Sequence, residues 1–154
     1  MTTFDFGNGP VPAHQHPNGG GWVADTATVA DRAYVGPDAR VYGNTRVYGK
    51  AKVSGKAKVY DNAWVLANAE VFGNAWVSGN ARVFDNAQVS GDAWVFDDAR
   101  VYRNARVYRN AQVCSDARVC RDARVYGDAR ASNDAKEDMF IEMNGKRYKL
   151  VEIE

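Results

Sequence analysis

The chain has 154 residues, a formal charge of +1 and two cysteines. That length is one domain's worth of protein, and the near-cancelled charge gives no whole-chain field toward nucleic acid or a membrane surface. The cysteines have no framework spacing, so a disulfide scaffold is not expected, and no apolar run approaches the ~20 residues of a membrane span.

The first 22 residues, MTTFDFGNGPVPAHQHPNGGGW, lack the charged start and apolar centre of a secretory leader. They are expected to form a cap over the structure that begins at residue 23, with Trp22 as its anchor. His14 and His16 stand at a spacing that on a strand can offer two metal ligands. A third ligand would have to come from elsewhere, so no metal is assigned, and no cofactor is expected. The run Gly19–Gly21 is too short to suggest a phosphate loop.

From residue 23 to 136 the chain is a six-residue repeat. Valine recurs every sixth residue from Val23 to Val125, and Ala131 takes the next place. Alanine follows four residues after each, from Ala27 to Ala135, with Thr45 the one exception. There are nineteen hexads without insertion or deletion. Six is neither the strand period nor the helix period. Within each beat, Ala-x-Val is a local alternation of period two, which puts a small and a medium apolar side chain on one face. The simplest solution is a short strand, then a corner, repeated, with each coil hydrogen-bonded to the coils above and below.

Position four of the hexad is Asn or Asp in fifteen of nineteen cases. Position three includes Pro37, whose ring fixes φ near −65°. Proline followed by a residue that bears positive φ is the pattern of a type II turn. Position four is therefore expected to be left-handed, and glycine at position three is permitted rather than required. On that expectation Arg103 and Arg109, which stand at position three, are free surface choices.

VYGNTR, VSGNAR and VYGDAR, at 41, 77 and 125, resemble the hexapeptide-repeat family. The resemblance implies an all-β, single-stranded left-handed parallel β-helix of about six triangular coils, three hexads to a coil. The hand comes from the family alone, since parallel crossovers are ordinarily right-handed. The expected organisation is an N-terminal cap segment over 1–22, the β-helix over 23–136 and a C-terminal β-hairpin cap over 137–154. Asn144-Gly145 between two strand-like runs supplies the hairpin signal.

Residues eighteen apart should lie above one another, in columns on three flat sides. The first side carries Arg46, Trp64, Arg82, Arg100 and Arg118 beside Tyr48, Leu66, Phe84, Tyr102 and Cys120. The second carries Lys52, Glu70, Gln88, Arg106 and Arg124 beside Ser54, Phe72, Ser90, Tyr108 and Tyr126. The third carries Arg40, Lys58, Trp76, Trp94, Gln112 and Arg130 beside Tyr60, Ser78, Phe96 and Cys114. Two uses compete for the apolar columns Tyr48, Trp64, Leu66, Phe84 and Tyr102, and Trp76, Trp94 and Phe96. One is stacking within the chain; the other is an interface, with a trimer favoured by the family resemblance.

Residues 100 to 130 hold eight arginines against three aspartates. Arg103 and Arg121 share a corner, and Arg106 and Arg124 follow on the adjoining side beside Tyr108 and Tyr126. Guanidinium forks suit phosphate or carboxylate, and tyrosine can stack a base, so these six residues form a candidate site for an anionic nucleotide-like ligand. A solvated basic face, or a contact to an acidic patch on a neighbouring subunit, is the competing account.

Many hexapeptide-repeat proteins are acyltransferases, and the resemblance would imply a histidine base near the coils and a loop extruded from a corner. The γ-class carbonic anhydrases would imply three zinc-binding histidines. No hexad contains His and no loop breaks the register, so no catalytic residue is assigned and an enzyme is not expected. The GGGWV lead-in, with the short insertion-free repeat, is similar to proteins encoded in bacteriophage and prophage genomes. The expectation is a non-enzymatic scaffold, resident in the cytoplasm of a phage's host, that self-associates and binds a small anion or a host protein. Neither a membrane nor nucleic acid is an expected partner.

Overall fold

The computed structural model describes residues 2–133, and beyond them the backbone of the strands Phe140–Met143 and Lys146–Lys149. The hexads form a parallel β-solenoid of about six coils, each side one sheet. Register partners are eighteen residues apart throughout: Trp64 pairs with both Arg46 and Arg82, and Glu70 with both Lys52 and Gln88.

The hydrogen bonds do not stop at the corners. On a flat side Arg46 N donates to Ala63 O, and Tyr48 N to Val65 O, each at 3.0 Å. At the corner Asn44 N donates to Asp61 O at 2.7 Å and Lys50 N to Ala67 O at 2.9 Å. Stacking thus satisfies backbone groups that an isolated coil would leave unpaired.

The core is as narrow as the sequence demands. Val41, Val47, Val53 and their successors through Val119 are fully buried, and Ala51 through Ala117 line the same axis between them. Each buried valine contributes roughly 1.5–3 kcal/mol of transfer free energy. The alanine keeps each side short enough for three to close on one another.

The corners overturn one expectation. The turn bond runs from position five N to position two O, as in Ala63 N to Tyr60 O at 3.3 Å. Positions three and four are therefore its central residues. Positive φ falls on position three, not four, at every corner from Gly43 to Gly127, including Arg103 (59°), Arg109 (60°) and Arg121 (61°). Positive φ on the first central residue is the requirement of the primed turns, where glycine leads. Pro37 misled because it belongs to the first coil, whose corners at Asp25, Asp31 and Pro37 take no positive φ.

Position four keeps Asn and Asp for a different reason. Asn74 Nδ2 donates to Asp92 Oδ1, and Asn80 Nδ2 to Asp98 Oδ1, both at 3.1 Å, so these side chains form ladders from coil to coil. Aspartate at position three serves the next coil: Asp85 Oδ2 accepts from Arg103 N, and Asp97 Oδ2 from Ser115 N, each at 3.1 Å.

The N-terminal segment covers the first coil. Strands β1 (Thr3–Asp5), β2 (Pro10–Gln15) and β3 (Trp22–Ala24) are antiparallel, and β3 then pairs in parallel with Arg40–Val41, opening the third-side sheet. The link from β2 to β3 lies against the second side, where Val35 N donates to Asn18 O at 3.1 Å and Gly21 N to Val35 O at 2.9 Å. That loop shields what would be an open sheet edge. At the far end Arg130–Asn133 pairs antiparallel with Phe140–Met143, which pairs antiparallel with Lys146–Lys149. The Asn144-Gly145 turn lies outside the described residues.

Candidate functional site

The aromatic columns are in contact along their length. On the third side Phe4 stacks on Trp22, Phe6 on Tyr42 and Tyr42 on Tyr60, and the series continues edge-on through Trp76 to Trp94, which meets Phe96 at a tilt. One ribbon of rings thus joins the cap to the fifth coil. Trp94 Nε1 donates to the buried Ser78 Oγ at 3.2 Å. Burial and neighbouring negative charge push Tyr42 up to about 12; the chief cause is desolvation, followed by Tyr60 and Asp61, with Arg40 opposing.

On the first side Trp64 lies between two guanidinium groups, Arg46 at 5.0 Å and Arg82 at 4.6 Å from its ring centroid. Phe84 and Tyr102 stack with parallel planes at 4.8 Å. Stacking within the chain therefore accounts for much of this apolar surface. Tyr48 and Trp76 remain the most open of the proposed interface residues, at 39% and 38% exposure. Leu66 is half-buried, less open than either.

The arginine cluster is assembled coil upon coil. Arg106 and Arg124 are register partners, and Tyr108 stacks on Tyr126 at 5.3 Å. Arg103 and Arg121 stand on the corner before them at positive φ, so neither is a free choice of residue. The same corner carries carboxylates: Asp85 binds Arg103 N, and Asp122 accepts from Asn104 Nδ2 at 3.4 Å. The cluster is an exposed, partly neutralised surface rather than a cavity.

One other residue is placed differently from the expectation. Cys114 is fully buried rather than outward, its Sγ 3.8 Å from Ala131 O, on a strand that runs on through Ser115. His16 is buried, and its Nε2 donates to Ala33 O at 2.8 Å; His14 Nδ1 is 2.7 Å from Asp25 Oδ1 at the surface. The two imidazoles thus have separate structural partners. No group of metal-ligating side chains occurs among the described residues.

A second basic region escaped the charge count. From Ala39 to Tyr60 the chain has Arg40, Arg46, Lys50, Lys52, Lys56 and Lys58 and no carboxylate. Summing charge over a longer stretch hides it. On the fold, Lys50 stands above Arg32 and Lys52 above Tyr34; with Asn18 these four line an open groove of about 550 Å³.

No helix of the described residues is long and apolar enough to cross a membrane. No curated protein matches the sequence. Residues 75–91, 87–103 and 99–115 are similar to a family model described as YdcK Beta solenoid repeat, and the coordinates agree with it in kind: the chain is a β-solenoid repeat scaffold.

Proposed function

We propose that the protein is a non-enzymatic scaffold that self-associates side by side and offers its remaining faces to a partner. The observation that carries this is the segregation of charge. The first side bears Arg46, Arg82, Arg100 and Arg118 and no carboxylate. The corner between the third and first sides bears Asp25, Asp61, Asp97, Asp98 and Asp116 and no cation. Among the described residues, Asp61, Asp97, Asp98 and Asp116 make no ion pair.

Arg46, Arg82 and Arg118 recur every second coil, as Asp25, Asp61 and Asp97 do, a repeat of about 9.6 Å at the usual strand spacing. A second copy with its axis alongside and displaced by one coil presents these carboxylates at the spacing of the arginines, every second coil. A corner laid on a flat side is a heterologous contact, which closes into a ring when repeated around an axis. A trimer of left-handed hexapeptide-repeat protomers is the assembly that fits this reading, and phage origin and a host-cytoplasmic site go with it. The absence of histidine from every hexad supports the non-enzymatic assignment.

Light scattering of the purified chain tests the assembly. The expected result is a defined oligomer that dissociates near 1 M salt, where screening falls to about 3 Å, and in Asp98→Lys/Asp116→Lys. A monomer at high concentration in low salt would refute it. The stacked Tyr108–Tyr126 pair beside Arg106 and Arg124 favours a second use, capture of an anionic nucleotide-like ligand. Thermal stabilisation by nucleotides that disappears in Arg106→Ala/Arg124→Ala is the result expected of it.

A further inference from the structure

We infer that the groove at the first two coils binds a phosphate-bearing small molecule, at a site separate from the Arg106–Arg124 surface. Arg32 and Lys50 stack at the corner between the first and second sides, and Lys52 stands over Tyr34 on the second side. Three cations thus converge on one opening, and no carboxylate lines it. None of the three forms an ion pair with a described residue. Their mutual repulsion is relieved by a compact anion carrying more than one charge, and phosphate oxygens accept several charge-assisted hydrogen bonds at once.

The wall of the groove is built rather than incidental. Asn18 is fixed by Nδ2 donating to Ala33 O at 3.1 Å, and His16 donates to the same oxygen from beneath the surface. Gly19 is at φ +117°, and a Cβ there would stand 2.1 Å from Val35 O and 3.0 Å from Tyr34 Cε2. A Cβ on Gly21 would stand 2.2 Å from Gly36 O, and one on Gly36 3.3 Å from Tyr34 Cε1. Only glycine at 19 and 21 lets the loop lie this close, and Gly19 and Gly36 flank the Tyr34 ring. The glycine run is therefore the means by which the cap forms one side of the groove. The volume of about 550 Å³ suits a mononucleotide-sized ligand. The fixed ring supplies an apolar surface beside the charges.

Calorimetric titration of the full chain with inorganic pyrophosphate, and separately with ATP, tests the site. Saturable binding of both is expected in the parent protein. It should weaken at least roughly tenfold in Lys50→Ala/Lys52→Ala, with the β-sheet circular dichroism unchanged. Arg106→Ala/Arg124→Ala should leave it intact. Tyr34→Ala should weaken ATP more than pyrophosphate, since only ATP has a ring to lay on the tyrosine. The inference is overturned if neither ligand binds the folded parent. It is also overturned if binding survives the double lysine substitution, or if it is lost in the arginine pair instead.

Discussion

Substituting Gly73 by alanine tests the account of the corners. Gly73 has φ +69°, and a Cβ there would meet Gly91 N at 2.9 Å and Gly91 O at 3.1 Å in the coil above. Left-handed backbone costs an L-residue about 1–2 kcal/mol. Loss of glycine's freedom in the unfolded chain returns about 0.5–1 kcal/mol. Crowding against the Gly91 backbone adds to the cost, so Gly73→Ala should destabilise by about 1–2 kcal/mol. Ala67 at the equivalent position has φ 60°, and Ala67→Gly should stabilise by about 0.5–1 kcal/mol on the same reasoning. Gly36 is the control: it stands at position two without positive φ, and the nearest atom to its Cβ would be the side-chain carbon Tyr34 Cε1, at 3.3 Å. Gly36→Ala should therefore change stability by less than about 0.5 kcal/mol. Urea midpoints followed by tryptophan fluorescence, with the slopes compared to confirm a common transition, give all three values. Equal effects of Gly73→Ala and Gly36→Ala, or destabilisation by Ala67→Gly, would refute the assignment of strain to position three.

Two more outcomes depend on single residues. Thr45 replaces the usual alanine and is buried, with no hydrogen-bond partner for its hydroxyl; an unmet buried hydroxyl costs about 1–3 kcal/mol, so the isosteric Thr45→Val should raise stability by about 1 kcal/mol in the same urea assay. A destabilised valine variant would mean that the hydroxyl is satisfied in solution. Tyr42 is raised from 10.0 to about 12, so its contribution to stability is intact below pH 10 and is lost as pH rises toward 12. Phenolate absorbance should show a late-titrating step that is missing in Tyr42→Phe, and its persistence in that variant would assign the late step to another residue.

The core and the columns were legible because they depend on periodicity alone. Val, Ala and the eighteen-residue pairings are determined once three hexads are taken to close a coil. The corner was not, because asparagine is favoured for two unrelated reasons. It tolerates positive φ, and it also donates to an acceptor one coil away, as Asn80 does to Asp98. Composition at position four cannot separate these, and Pro37 comes from a first coil whose corners differ. The candidate site was half legible. Coil stacking placed Arg106 over Arg124 and Tyr108 over Tyr126, as the spacing implied. The groove was hidden because its wall is Asn18, a cap residue whose position depends on glycines fitting against Val35 and Gly36.

The continuous coil-to-coil ladder also bears on how the chain acquires its structure. Sheets of this size are ordinarily slow to form, because their strands lie far apart along the chain. Here the coil partners of each strand are eighteen residues away, a separation of only about 0.12 of the chain length, close to the range of helical bundles. The hairpin of β1 and β2 is more local still and precedes the coils. Once it has docked on β3, each later coil can be laid on a finished template as it leaves the ribosome. Folding of this kind is growth from one end, and it should tolerate a missing C-terminal segment far better than a missing cap.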